Sequence, residues 1–346
     1  MSLDRERQLE TALANLPRVS LASVRPTPLE PLDRLSAELG GPKVYVKRDD
    51  LTGLAFGGNK TRMLEFSLAD AQAKGADVVV TGAAVQSNYC RQMAAACAKL
   101  GLELHLVLRP HREIDKTAVQ GNHFLQRLFG AQVTVLPDYD MTRHREALQA
   151  TADRLAAEGR NVYWPRQEDT VDLDAIAYAE TALEIVRQCR DLNIYPEYLY
   201  SAALDTTQAG LVLGFAYTRS PIQVRGFSPF EAMTGRIDNM VRMANQAAVR
   251  MGLQVEFSER DFTNDDSWVG ERYGIPSEAG LAAIHLLARR EGLLLDPVYT
   301  SKAMAALIAD IGAGRLDRNV PVLFLHTGGT PALFGYVNEV MGSAQA

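Results

Sequence analysis

The chain has 346 residues, is 47% hydrophobic and 23% charged, and carries a formal net charge of −6. A chain of this size buries a large core and is expected to divide into two units. A weakly acidic balance without long runs of one sign excludes a nucleic-acid surface or a basic membrane arm. Cys90, Cys97 and Cys189 form no Cys-x-x-Cys pair and no zinc-spaced cluster with histidine, which excludes a disulfide scaffold and a structural zinc site. Residues 1–7 are polar, and no window reaches the apolar length of a membrane span, so a soluble, cytoplasmic, unprocessed protein is expected.

Along the chain, β-branched apolar runs alternate with longer helical patterns. A strand-like stretch around Val44–Lys47 leads through charged residues and glycines to a helix starting near Thr61. Strands are predicted over 77–81, 104–108, 132–136 and 162–164, with helices over 88–100, 117–129 and 141–158 between them. Gly101, Gly130 and Gly159 stand where helix-ending glycines belong. The rhythm resumes with strands over 197–201 and 222–227, a helix over 207–217 and a long helix ending near Met251. A polar segment, 261–274, precedes helices over 277–291 and 301–311, a strand over 320–326 and a helix over 331–340. This alternation predicts an α/β fold of open, mostly parallel sheets flanked by helices. The expected division is a large unit, 1–63 plus 165–346, and a small α/β unit, 64–164.

In such folds ligands sit where strands end and loops enter helices, and the chemistry-bearing residues fall there. Phe56-Gly57-Gly58-Asn59-Lys60 places one lysine at the mouth of a helix. The helix dipole opposes protonation of a nearby amine, and a partly neutral lysine can bond covalently to a carbonyl carbon. The two glycines are expected to let backbone approach a flat ligand. Lys302 lacks that glycine approach, and Lys47 sits in a strand beside Arg48, Asp49 and Asp50 as a structural residue. Gln86-Ser87-Asn88-Tyr89 opens a helix and is either an anion site for a carboxylate or a simple N-cap. Ala203-Leu204-Asp205-Thr206-Thr207 opens another. Its hydroxyls suit a phosphate, Asp205 opposes one, and capping is the competing reading. Asp296-Pro297-Val298-Tyr299-Thr300 and His326-Thr327-Gly328-Gly329 place hydroxyls and glycines where a planar ring could be gripped, and Tyr273 adds a phenol on a loop. No Cys/His/carboxylate cluster with metal spacing is present.

The ordered set Val46-Lys47-Arg48-Asp49-Asp50-Leu51-Thr52-Gly53, Gly57-Gly58-Asn59-Lys60, Gln86-Ser87-Asn88, Thr207-Gln208-Ala209-Gly210, Asp296-Pro297-Val298-Tyr299 and Gly328-Gly329-Thr330-Pro331-Ala332-Leu333-Phe334-Gly335-Tyr336 resembles one family. That family comprises pyridoxal-phosphate enzymes including D-cysteine desulfhydrase and 1-aminocyclopropane-1-carboxylate deaminase, of the tryptophan synthase β-like fold, or fold type II. The resemblance covers about residues 20–340. It implies two sheets with pyridoxal 5'-phosphate in the cleft between domains, Lys60 bonded to it as an imine, and Asn88 on the ring phenolate oxygen. It further implies phosphate binding by Ala203, Leu204, Asp205, Thr206 and Thr207, with Thr300 facing the ring nitrogen and Thr327 also on the cofactor. Ser87, Asn88, Tyr89, Tyr273 and Tyr299 would meet a small amino-acid substrate, with Lys60, Ser87, Tyr273 and Tyr299 catalytic, in a homodimer.

Within the family, Thr300 and Thr327 favour elimination over cyclopropane ring opening. The deaminases carry a glutamate and a leucine at these places, and a carboxylate at the ring nitrogen makes a stronger electron sink. The expected reaction is therefore β-elimination from D-cysteine to pyruvate, hydrogen sulfide and ammonia. The deaminase reaction and L-cysteate sulfo-lysis are the alternatives, and a catalytically silent binding relative is the alternative of another class. Three places depart from the family pattern: Tyr89-Cys90, Leu204-Asp205 and the basic stretch Arg109-Pro110-His111-Arg112. The last reads either as a solvated turn or as a preference for an anionic leaving group.

Overall fold

The computed structural model describes residues 2–203, 205–231 and 233–342. Its first elements are α1 (Ser2–Ala14), β1 (Leu29–Pro31), α2 (Asp33–Leu39), β2 (Val44–Lys47) and α3 (Asn59–Ala73). A run of alternating elements follows: β3 (Val78–Ala84), α4 (Asn88–Leu100), β4 (Glu103–Arg109), α5 (Gly121–Leu128), β5 (Gln132–Val135), α6 (Met141–Ala157) and β6 (Val162–Tyr163). Then come α7 (Asp172–Asp191), β7 (Tyr198–Ser201), α8 (Thr206–Thr218), β8 (Gln223–Phe227), α9 (Arg236–Arg250) and β9 (Thr263–Asp265). The chain closes with α10 (Glu278–Glu291), α11 (Thr300–Gly312), β10 (Val322–Leu325) and α12 (Val337–Gly342).

Two sheets result. The larger has the order β1-β2-β10-β7-β8-β9, parallel throughout except for the antiparallel β1–β2 pair. The smaller, β5-β4-β3-β6, is wholly parallel and is drawn from residues between Val78 and Tyr163. Both are covered on both faces, as parallel sheets require. Side chains alternate accordingly. Leu323 and Leu325 of β10 enter the core shared with α7, α8 and α9, whereas Val322 and Phe324 enter the one shared with α10 and α11. In the small sheet Leu104, Leu106 and Leu108 of β4 face α4, and Val107 faces α6.

The expected α/β architecture of two mostly parallel sheets is present, with local differences that have tertiary causes. Residues 165–196, to which the sequence reading assigns nothing, hold the 20-residue α7. Its first half, 172–179, is buried all round and shows no helical period, whereas Glu180, Glu184, Arg187, Gln188 and Asp191 form a polar stripe along the second half. The helix expected over 117–129 begins only at Gly121, because the Gln86 side chain donates to Gln120 O (3.1 Å) and accepts from Asn122 N (3.0 Å), holding the intervening backbone extended. The helix expected over 331–340 is a 3-10 turn, Thr330–Gly335, followed by α12. Tyr336 breaks it, its hydroxyl drawn to Gly274 O (2.7 Å) and its ring under Arg112. The polar stretch 261–274 contributes edge strand β9. Residue 64, the expected domain border, lies inside α3, which packs on both α7 and α4.

Candidate active site

The carboxyl ends of the two sheets face a common cavity of about 310 Å³, lined by residues of both, among them Lys60, Ser87, Asn88, Arg109, Arg166 and Tyr299. Lys60 is the second residue of α3, whose N-cap is Gly58 with φ 120°. Among the described residues its amine has no hydrogen bond or ion pair. Burial pushes that amine down to about 8, and the Arg166 charge pushes the same way against Asp205 and Asp174. At neutral pH about a tenth of it is neutral, against roughly one part in three thousand for an ordinary lysine.

The protein's own chain leaves no room for a side chain at the glycines before Lys60, so packing within the fold requires them in addition to any approach by a flat ligand. A Cβ on Gly57 would lie 2.0 Å from Asp50 O, and one on Gly328 2.7 Å from Gly58 Cα. The two glycine loops therefore pack on each other, and Asn59 N donates to Thr327 O (2.9 Å). Beneath them lies a buried ionic network. Arg62, one turn past the start of α3, bonds Asp49 (3.0 Å) and Glu184 (2.8 Å), and Lys47 bonds Glu184 (2.9 Å), Gln188 (2.8 Å) and Thr27 O (2.7 Å). Lys47 is thus structural, as expected. Lys302 is buried inside α11 and donates to Val269 O (2.6 Å), away from the cavity.

Ser87 is the N-cap of α4, its Oγ accepting from Cys90 N (3.2 Å), so the capping reading is realised while the residue also lines the cavity. Its hydroxyl proton and the first amides of α4 are left for a ligand. The Asn88 side chain is oriented: its Oδ1 accepts from Arg91 (2.9 Å) and from Asn122 (2.8 Å), which leaves the amide NH2 as the donor. Tyr89 lines the cavity with its hydroxyl unpaired and the Arg166 guanidinium 4.0 Å from its ring centre.

Tyr273 and Tyr299 also line the cavity, and their hydroxyls bond each other. Burial pushes both phenols well up, so both stay protonated. Phe230 stacks on Tyr273 at 4.0 Å and His111 meets its edge at 4.6 Å. Thr300 does not reach the cavity wall. It is 0% exposed, and its hydroxyl donates to Asp296 Oδ1 (2.8 Å) and accepts from Asp296 N (2.8 Å). The Asp296 carboxylate also takes the amides of Val298, Tyr299 and Thr300, and this is what turns the chain into α11.

At the start of α8, Asp205 (φ 67°, ψ −128°) caps the helix by accepting from Thr206 N. Thr207 lines the cavity, its Oγ1 accepting from Asn59 (3.3 Å), and Thr327 lines it too. Ala203 and Thr206 lie behind the wall, Ala203 O accepting from Asn264 (2.7 Å) and Thr206 Oγ1 donating to Asp205 Oδ1 (3.1 Å). Leu204 lies outside the described residues. The sequence reading missed Arg166, a wall residue with φ 62° paired to Asp174 at 2.7 Å, and the supports Asn122 and Asp296. Only Arg166's positive φ marks it as special, and that is not visible in sequence.

The residues present fit a flat, aldehyde-bearing ring. Lys60 offers a partly neutral amine, and Asn88 a fixed NH2 donor for a ring oxygen. At the start of α8 the Asp205 carboxylate stands on an amide that an anion would use, so a phosphate there requires the carboxylate to leave it. The described residues hold no metal-type cluster of His, Cys, Asp and Glu. No helix among them is long and apolar enough to cross a membrane.

Comparison with known proteins agrees with this chemistry. The sequence profile of the family described as "Pyridoxal-phosphate dependent enzyme" matches residues 21–328. D-cysteine desulfhydrases of Salmonella typhi and Salmonella newport (strain SL254) are each 39% identical over 328 residues, covering 94% of this chain and 97% of theirs. The crystal structure of a homologue of ACC deaminase superimposes with a TM-score of 0.87 at 32% identity, covering 97% of this chain and 99% of its own. Escherichia coli diaminopropionate ammonia lyase shares the fold, with a TM-score of 0.68 at 16% identity over 99% of this chain and 92% of its own.

Proposed function

Because this chain belongs to the family of pyridoxal-phosphate dependent enzymes, we propose that it is a β-eliminating, deaminating lyase that converts D-cysteine to pyruvate, hydrogen sulfide and ammonia. The observation that carries this reading is the Lys60 amine, unpaired, held near 8 by burial and lining one cavity with Ser87, Asn88 and a tyrosine pair. D-cysteine enters through the desulfhydrases to which 94% of the chain is similar.

Lys60, Asn88, Thr207 and Thr327 would hold the cofactor, with Asp205, Thr206 and Ala203 shaping the start of α8 around its phosphate. Once bound, the cofactor supplies a sink for the electron pair left on Cα when a proton departs. Position 300 would supply no carboxylate to a bound ring, its neutral hydroxyl being held by Asp296 outside the cavity wall, which favours elimination over reactions that need a stronger sink. Ser87 and the first amides of α4 bind the substrate carboxylate, and Tyr89 closes that side. Lys60 is the general base that takes the α-proton. The Tyr273–Tyr299 pair, kept protonated by burial, donates toward the departing sulfide. The smaller unit, 64–164, and the larger unit, 1–63 plus 165–346, form the two walls.

Phe124 and Leu128 on α5 and Phe334 and Val337 near the chain's end are exposed, on segments that pack together. Such an apolar patch suits a second copy of the chain, so the working form is a homodimer. Cytoplasmic residence goes with three buried, unpaired cysteines.

The test is reconstitution with pyridoxal phosphate and a panel of D-cysteine, L-cysteine, L-cysteate, D-serine, β-chloro-D-alanine and the cyclopropane amino acid, read as 2-oxo acid and ammonia. D-Cysteine should give the highest kcat/KM, and K60A should lose at least ~10³-fold together with the visible absorbance of bound cofactor. Product from the cyclopropane compound alone sinks the elimination reading, and cofactor binding without any turnover makes the chain a silent relative.

A further inference from the structure

Arg91 is among the largest side chains withdrawn wholly from solvent, at 0% exposed, and the scheme above gives it no role. It lies on α4, one turn after Asn88 and on the same face. One NH2 group of its guanidinium donates to Asn88 Oδ1 (2.9 Å) and Asn122 Oδ1 (2.9 Å), the other to Gly57 O (2.7 Å), and Nε has no partner. All these acceptors are neutral amide oxygens. Lys47 and Arg62, equally buried, bond the Glu184 carboxylate. Among the described residues Arg91 makes no ion pair.

Taking a guanidinium out of water is costly, and neutral carbonyls return less than an anion does. Burial pushes Arg91 down to about 9 against the pull of Asp296, which it does not bond, so it keeps its charge at neutral pH. Of its three partners only Asn88 lines the cavity. Asn88 Oδ1 also accepts from Asn122 (2.8 Å), so the amide is fixed and its NH2 is the group left for a ligand. A cation on the carbonyl side polarises the carboxamide and makes that NH2 a stronger donor. The bond to Gly57 O, three residues before Lys60, keeps the guanidinium in place. One arginine therefore spans the donor for a ring oxygen and the loop that carries the amine. In an aromatic aldehyde with a hydroxyl ortho to the formyl group the two reacting positions are neighbours, and a fixed spacing of donor and amine suits such a ligand.

We propose that Arg91 is a positioning residue that, through Asn88, supplies the positive charge balancing the ionised ring oxygen of bound pyridoxal phosphate. Position 300 brings no charge to the ring, its hydroxyl being held by Asp296; Arg91 brings one to the ring oxygen. The inference rests on Asn88 as the donor to that oxygen and not on which reaction follows.

The test uses full-length protein freed of cofactor and two ligands without an aldehyde, neither of which can react. One is 4-deoxypyridoxine 5'-phosphate, which keeps the ring hydroxyl, and the other is the same compound with hydrogen in place of that hydroxyl. Calorimetry should show the wild type preferring the hydroxyl compound by about 50-fold, as for a charged hydrogen-bonding partner, and R91Q by about fivefold, as for a neutral one. R91K, which keeps the charge and loses the fork, should retain a preference of at least ~20-fold. A purely structural role would weaken both ligands alike and leave the preference unchanged. A preference in R91Q within about twofold of the wild type's therefore overturns the proposal, as does R91K behaving like R91Q. If R91Q does not fold, the wild type carries the test: a preference below about tenfold, the range of a neutral bond, overturns it. Because no ligand here turns over, each of these results leaves the lyase reading to its own substrate panel.

Discussion

An aspartate at φ 67°, ψ −128° occupies backbone space that suits glycine, at a conformational cost of about 1–3 kcal/mol. Asp205 recovers part of this by capping α8, but it does so on the amide that the proposed phosphate site would use. Two penalties therefore attach to cofactor binding here: like-charge repulsion and the loss of a cap. D205N removes only the charge, and D205G removes charge and strain together. We expect pyridoxal-phosphate affinity to improve about tenfold in D205N and further in D205G, by fluorescence titration of the apoenzyme. Unchanged affinity in both would mean that the carboxylate already points clear of the phosphate. At this scale the sequence revealed what local chemistry encodes. Lys60, Ser87 and Asn88 stand in short stretches whose residue types state a role. Arg166 and Asp296 do not, since Arg166 reaches the wall only because its own backbone bends, and Asp296 acts by organising Thr300 within the fold. Arg109 was visible as a charge, and only the fold shows it buried at the cavity wall.

The element that positions Lys60 is α3, and what holds its first turns is the buried charge network below. Glu184 of α7 receives Arg62 and Lys47. Burial alone would raise its carboxyl, but the two cations outweigh this and hold it at about 2. A carboxylate depressed in the folded state adds stability that is fully present above its unfolded value near 4.5 and is lost as pH falls toward 2. Acid denaturation followed by circular dichroism should therefore show a loss of a few kcal/mol over that window in the wild type. E184Q should remove most of this dependence and should lower stability at pH 7 by roughly 3 kcal/mol, because Lys47 is left buried without its carboxylate. An identical acid profile in E184Q would show that the network does not hold the helix start. The elements in this network differ in how well they could be read. β2 declares itself by its β-branched run. α7 does so only in part, because its first half, packed on α3, α8 and α9, is buried all round and shows no period, and the polar stripe Glu180, Glu184, Arg187, Gln188 and Asp191 marks only its second half.

For the whole molecule, alternation of strands and helices was enough to specify mostly parallel sheets, because each crossover fixes the next strand's direction and hand. How the sheets meet was not written in any one segment. It rests on long-range contacts such as α5 against the 330–335 turn, where Gln120 donates to Gly335 O (3.3 Å) and a Cβ on Gly121 would lie 3.0 Å from Pro331 O. That junction also sets the outer surface. Phe124 (48% exposed) and Leu128 (63%) lie on α5, and Phe334 (61%) and Val337 (51%) on the 330–335 turn against which α5 packs and on α12 after it. A patch that straddles both walls of the cavity would, once covered by a second copy, tie the walls together. Burying each such side chain is worth about 1.5–3 kcal/mol. The wild type is therefore expected to sediment as two chains, and the double variant L128D/F334D as one, with its fold retained because both side chains are surface-exposed. The monomeric variant should also bind pyridoxal phosphate more weakly, by about tenfold, since its walls are free to move apart. A wild type that sediments as a single chain at all accessible concentrations would exclude the dimer. A monomeric variant with undiminished cofactor affinity would separate assembly from the geometry of the cavity.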